Sequence, residues 1–238
     1  MESTIKSSEK IGEIVAGFPK AIEILKEYRI DFCCGGNRPL LEAIKEHNID
    51  EKELLDKLNE AYEKFQEIKV DDIDWRYESF SELIDFVVNK HHVYLHTELP
   101  VLSKLTTTIL RVHGAGHSEL SKVYKLFHSL KMELEEHLIK EEEIVFPLIK
   151  QYEKEHSKEV LDKALEAIKE LEDEHEGAGK ILKELRPITN QYTAPKDGCE
   201  TYNLTYSKLE EMESDLFSHI HLENNILFPR LMAEKGAH

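Results

Sequence analysis

The chain has 238 residues, with 31 Lys+Arg against 48 Asp+Glu, a formal net charge of −17 and 40% hydrophobic residues. That length allows one large domain or a small domain plus a medium one. The acidic balance excludes non-specific nucleic-acid binding, which needs clustered Lys and Arg, and disfavours anionic membrane surfaces. Gly and Pro are scarce, at 10 and 7, and apolar residues recur at three- and four-residue spacing, as in Leu161, Leu165, Ile168 and Leu171, so an all-α fold is expected.

Residues 1–66 read as a small helical domain. Pro19 suits the first turn of a helix through Ala21, Ile24 and Leu25. The run from Cys33 to Asn37 must turn, and Pro39 then opens a helix with Leu40, Leu41 and Ile44 on its apolar face. A third helix is expected from about Asp50 to Gln66, and 66 residues make a marginal core. Residues 67–77, rich in Asp, read as a linker. Residues 78–238 then read as four long helices, over 79–112, 117–152, 157–186 and 200–233. Pro100 is expected to kink the first, and Pro147 and Pro229 to disturb the second and fourth near their ends. Modest loops imply an up-down-up-down four-helix bundle.

The first 20 residues are charged and lack the apolar stretch of a signal peptide, and no apolar run approaches a membrane span. Three cysteines, two of them adjacent, do not form a secreted disulfide framework, so a reducing cytoplasm is expected.

Two segments repeat each other. His137-Leu-Ile-Lys-Glu141 and His219-Ile-His-Leu-Glu223 each place Glu four residues after His, and Phe146-Pro147 and Phe228-Pro229 follow at the same offset. Residues four apart share one helix face, so each helix can turn an imidazole and a carboxylate inward. His92 precedes His137 by 45 residues and His175 precedes His219 by 44, which supplies a matching imidazole from each remaining helix. Four imidazoles and two carboxylates, His92, His137, Glu141, His175, His219 and Glu223, suit a pair of irons, with manganese and zinc as other occupants. The bland reading of either copy alone is a helix-stabilising His–Glu pair. Two copies with matching flanks and matched histidines favour the metal. Glu174, beside His175, and Glu133, one turn before His137, are candidates to support a ligand histidine from behind, against the alternative of a solvated acidic face. His113, near the first bundle loop, is either a polar site residue or an ordinary surface histidine. Gly177 and Gly179 either leave an open flank beside the site or allow close helix packing.

Cys33 and Cys34 form a second constellation just ahead of an expected helix start, where a thiolate is favoured. Redox, metal-handling or nitrosyl chemistry stands against inert buried thiols. Cys199, alone in the long loop, carries no expected role.

With both constellations in hand, the chain resembles the di-iron proteins that repair iron–sulfur clusters, the RIC family. The resemblance rests on Asp31-Phe32-Cys33-Cys34-Gly35-Gly36, the Leu99-Pro100 pair, Arg111-Val112-His113, Lys140-Glu141-Glu142, Glu174-His175 and Leu222-Glu223-Asn224-Asn225. It implies a hemerythrin-like bundle behind an N-terminal Cys-Cys domain. It also implies two non-haem irons per chain on His92, His137, His175 and His219, bridged by Glu141 and Glu223. His113 matches a further family histidine. Oxygen-carrying hemerythrins have one more histidine at the position of Gly179, which argues against a pure oxygen carrier. The implied function is repair of clusters damaged by nitrosative or oxidative stress, with the site as a labile iron donor and the cysteines receiving iron or docking the client. Nitric oxide reduction, which would make the protein an enzyme, and a passive O2 or NO sensor or carrier are the alternatives. Iron–sulfur client proteins, a gas ligand and a homodimer are the implied partners.

Overall fold

The structure, a computed structural model, describes residues 4–68 and 73–236. Among the described residues every regular element is helical, and extended pairing is limited to one isolated bridge between Lys10 and Pro39. Two compact units form, one of Met1–Leu83 with Phe217–His238 and the other of Ile84–Leu216.

In the first unit, α1 (Ile11–Gly17), α2 (Ala21–Glu27), α3 (Leu40–Glu46) and α4 (Glu51–Ile68) surround one apolar core. Ile11, Phe18, Leu25, Phe32, Leu40, Leu54 and Leu58 are buried there, and Phe217 packs against them. The Asp50 carboxylate accepts the Glu53 N–H at 3.0 Å, which satisfies one free donor at the start of α4. Pro39 sits one position before α3, so its missing N–H costs no helical bond. Residues 69–72 of the expected linker lie outside the described residues. Beyond them, Ser79 Oγ accepts the Glu82 N–H at 3.1 Å while Glu82 Oε2 accepts the Ser79 N–H at 3.2 Å. This reciprocal cap fixes the start of α5 (Phe80–Val87). The C-terminal helix α11 (Phe228–Glu234) belongs to the same unit, and Arg230 of it donates to the Trp75 carbonyl at 2.7 Å.

The second unit is the body of a helical bundle. Its helices are α6 (Val93–His113), α7 (Leu120–Lys140), α8 (Phe146–Glu155), α9 (Lys158–Ile188) and most of α10 (Glu200–Leu222). α6 packs on α7, and α7 and α8 pack on α9. The ring closes through polar contacts. Glu213 of α10 accepts from Arg186 of α9, and Lys208 of α10 donates to Glu98 of α6 at 2.6 Å. α9 runs unbroken for 31 residues because Leu161, Ala164, Leu165, Ile168, Leu171, Ala178, Leu182 and Leu185 keep one apolar stripe buried. His156 adopts a left-handed conformation, φ 47°, and its N–H returns to Tyr152 O, which ends α8 and reverses the chain into α9.

The expected long helices are present, but three are interrupted by a wider turn. Val88–His92, Glu141–Val145 and Glu223–Leu227 are π-helical, each one turn long. Pro147 and Pro229 fall in the first turn of the helices that follow, α8 and α11, rather than breaking a helix near its end. A proline cannot donate to the preceding turn, and a change of hydrogen-bond register is a low-cost place for it. Pro100 lies inside α6 without ending it.

Candidate metal centre

All three π turns abut an expected ligand. His92 closes the first, while Glu141 and Glu223 open the second and third. In both repeats the histidine lies in the last α-turn and the glutamate begins the wider one. Single π turns are frequent at functional sites, because one extra residue re-aims the side chains around it.

In the second unit, Glu141 is fully buried, at 0% exposure, and its carboxylate faces three imidazoles. His92 Nε2 lies 3.3 Å from Glu141 Oε2, His137 Nε2 3.2 Å from Oε1, and His175 Nε2 4.0 Å from Oε1. His137 Nε2 and His175 Nε2 are themselves 3.0 Å apart. His137, Glu141 and His175 each offer a ligand atom within 4.8 Å of the others. In the first unit, His219 and Glu223 are likewise fully buried, with His219 Nε2 3.1 Å from Glu223 Oε1.

The opposite ring nitrogens are committed elsewhere. His92 Nδ1 lies 2.7 Å from Glu142 Oε1, and His137 Nδ1 lies 2.7 Å from Glu174 Oε2. A carboxylate accepts a proton from Nδ1–H, which leaves the Nε2 lone pair aimed at Glu141. Burial pushes the Glu174 carboxyl up, but Lys140 and His137 outweigh it and hold it below the usual carboxylate range. Glu174 therefore stays ionised 2.7 Å from His137 Nδ1, placed to hold that ring from behind. Glu133 does not share that role, being exposed and bonded to Ser129 Oγ at 3.2 Å. Glu142 was missed as a support because a helix with 3.6 residues per turn would point it away from Glu141's neighbours, and the π turn is invisible to that periodicity.

The donor set fits a transition metal. A buried carboxylate is costly without a cation, and three imidazole nitrogens face Glu141, those of His92 and His137 with the far side of the ring held. Nitrogen and oxygen donors in this mixture are the chemistry of iron, manganese or zinc.

The other histidines take different places. His91 is buried, with Nδ1 2.9 Å from Asp215 Oδ1. His221 is buried with Nδ1 3.4 Å from the Phe32 carbonyl, and burial pushes it down to about 4, so it is neutral. His113 does not support a metal ligand. Its Nε2 lies 3.2 Å from Cys199 Sγ, and its ring meets those of His117 and Tyr202 edge-on. The His113 hydrogen bond, helped by the N–H groups of Tyr202 and Thr201, lowers the exposed Cys199 thiol to about 7.

None of the three cysteines is in a disulfide. Cys33 is buried, its thiol donating to Asp31 Oδ1 at 3.3 Å and lying 3.8 Å from Cys34 Sγ. The expected thiolate is not favoured there. The hydrogen bond with Cys34, burial and the Asp31 carboxylate hold the Cys33 thiol well above its ordinary range. The expectation assumed a nearby helix N-terminus, but α3 begins only at Leu40, and Asp31 Oδ1 instead accepts the Cys33 and Gly35 N–H groups, each at 3.1 Å.

Comparison with known proteins agrees with this layout. Residues 83–231 match the Hemerythrin HHE cation binding domain, and residues 7–62 match a domain of unknown function, DUF542, named ScdA_N. The iron-sulfur cluster repair protein ScdA of Staphylococcus haemolyticus is 32% identical over 224 residues, 94% of this chain and 98% of that protein. A probable iron-sulfur cluster repair protein of Haemophilus influenzae is 34% identical over 229 residues, 96% of this chain and 99% of its own. The iron-sulfur cluster repair protein YtfE of Citrobacter koseri is 34% identical over 229 residues, 94% of this chain and 97% of that protein.

Proposed function

Since the chain belongs to the family of iron–sulfur cluster repair proteins that join an ScdA_N domain to a hemerythrin-type cation-binding domain, we propose that it does this work as a labile iron donor from a two-metal centre. Its partners are iron–sulfur proteins with damaged clusters, in a reducing cytoplasm.

One observation carries the two-metal reading. In the second unit the buried Glu141 carboxylate faces the Nε2 atoms of His92, His137 and His175, and in the first unit the other copy of the repeat buries His219 against Glu223. Two copies of the same His–Glu pair, with every partner buried, support two metals, for which His92, His137, Glu141, His175, His219 and Glu223 would be the ligands. Bound there, iron supplies the metal that a damaged cluster has lost. Glu142 and Glu174 keep His92 and His137 oriented with Nε2 toward the metal side, and Lys140 keeps Glu174 charged. A site held largely by neutral imidazoles binds metal in competition with protons, which suits release rather than storage.

The test is iron content with a Mössbauer spectrum. We expect two coupled irons per chain in the native protein, and Glu141→Gln or Glu223→Gln to lower the count or uncouple the spins. One zinc per chain, unchanged by either substitution, would sink the reading.

The second reading is gas chemistry at the same centre: nitric oxide reduction, or passive sensing or carriage of nitric oxide or O2. Production of N2O on turnover would mark reductase chemistry, and reversible binding alone would mark a sensor or carrier.

A further inference from the structure

Two short motifs far apart in sequence, Phe32-Cys33-Cys34-Gly35-Gly36 and Leu222-Glu223-Asn224-Asn225, interlock within the first unit. Asn225 Nδ2 donates to the Cys33 carbonyl at 2.9 Å and to the Phe32 carbonyl at 3.3 Å. His221 Nδ1 lies 3.4 Å from the same Phe32 carbonyl, and the Phe32 ring packs edge-on against His221 and Phe217. The other side of the Asn225 amide is packed as closely. A Cβ on Gly36 would sit 2.2 Å from Asn225 Oδ1, and one on Gly12 would sit 2.4 Å from it. The two glycines are tied together by the Gly12 N–H, which donates to Gly36 O at 2.8 Å. Gly36 is therefore glycine because Asn225 occupies the space of its side chain. Asn225 stands in the π turn that Glu223 opens, two residues from that carboxylate.

We propose that Asn225 is a positioning residue that latches the Cys33–Cys34 loop to the turn bearing Glu223, so that the thiol pair responds to occupancy of the metal centre. The proposal rests on the metal reading given above. The physical argument is one of shared backbone. A bound metal would fix the carboxylate of its ligand Glu223, and hence the π turn around it, because coordination restrains the first residue of a five-residue segment. Asn225 carries that restraint to the carbonyl of Cys33 through a hydrogen bond in a partly buried site, where an unmade bond is costly. A loop held at its carbonyls opens less often, and a buried thiol such as Cys33 reacts only from the open form. Iron in the centre should thus slow reaction at the thiol pair, and removal of iron should release it. This gives the repair reading a direction: the thiols become available as the centre empties.

The experiment measures iodoacetamide labelling, under anaerobic conditions, of the full-length protein with and without added ferrous iron. Peptide mass spectrometry separates Cys33 and Cys34 from Cys199, which serves as an internal control. Asn225→Asp keeps the shape that fills the space over Gly12 and Gly36 but lacks the two N–H donors, and Asn225→Ala removes both. Loss of these hydrogen bonds should raise labelling of Cys33 and Cys34 in metal-free protein by about tenfold. In the native protein ferrous iron should slow labelling, and in the Asn225→Asp protein that response should vanish while iron content on the same samples is unchanged. A merely structural role would speed labelling without removing the iron response. Native-like rates in both variants, or an iron response of undiminished size in them, overturns the proposal. Failure of the native protein to take up iron would be a failure of the metal reading. The metal-free comparison of native and Asn225→Asp protein would then still decide whether the latch exists.

Discussion

At the scale of single residues, the proposed centre would depend on groups that do not themselves bind the metal. Glu142 and Glu174 fix the tautomers of His92 and His137 through Nδ1. Replacing either with Gln keeps the shape but weakens the acceptor, and loss of such a support typically costs about 10- to 100-fold in metal affinity. Glu142→Gln and Glu174→Gln should each weaken iron binding by that order in a chelator competition, while Glu133→Gln should leave it unchanged. An equal loss from Glu133→Gln would show that general acidity, not tautomer control, matters.

A second residue-scale prediction concerns Cys199. Its thiol is drawn to about 7 by the adjacent His113 ring. Alkylation at Cys199 should rise with pH as the thiolate forms, reaching half its maximum near the titration point of about 7. His113→Ala should move that midpoint upward toward the ordinary thiol range of about 8.5. A midpoint that stays put would show that His113 does not act on the sulfur. The pairing was not legible in the sequence, because 86 residues separate the two partners. The His-x-x-x-Glu repeats were legible because their spacing is local, and a helix converts local spacing directly into a shared face. The setting of Cys33 was less legible. Its surroundings depend on Asp31 and on burial, neither of which follows from the position of Pro39.

At the scale of elements, the helices were readable from apolar periodicity, as the buried stripe of α9 shows. The π turns were not, because one added residue per helix is lost within the tolerance of a 3.6-residue pattern. Each turn shifts register by one residue. Deleting Glu143 from Glu141–Val145 should close that turn to an ordinary α-helix while keeping Phe146 and Ile149 on their buried face. Helical content by circular dichroism should be retained and iron content should fall, because Glu142 rotates away from His92. Retained iron in the deletion variant would show that the wider turn is incidental.

At the scale of the whole molecule, the proposed ligands all follow residue 91 and the paired cysteines precede residue 35, which in sequence suggests a bundle independent of the N-terminal domain. The structure groups the chain differently. Phe217–His238 packs with Met1–Leu83, so the segment bearing His219 and Glu223 shares a compact unit with the Cys-Cys loop. That arrangement was hidden from the sequence because it is made by contacts such as Asn225 with Cys33, 192 residues apart. It puts one copy of the His-x-x-x-Glu repeat in the same compact unit as the Cys33–Cys34 loop. If the protein donates iron as proposed, repair is an exchange with a client that can be followed by where the metal goes. The most direct measurement is to load the protein with iron-57, incubate it under anaerobic conditions with a client whose cluster has been damaged by nitric oxide, separate the two, and record the Mössbauer spectrum of the client. Iron donation predicts that the label appears in the rebuilt cluster in the amount that this protein has lost. A rebuilt cluster without the label, or full recovery of the client while the label stays on His92, His137, His175 and His219, would contradict it.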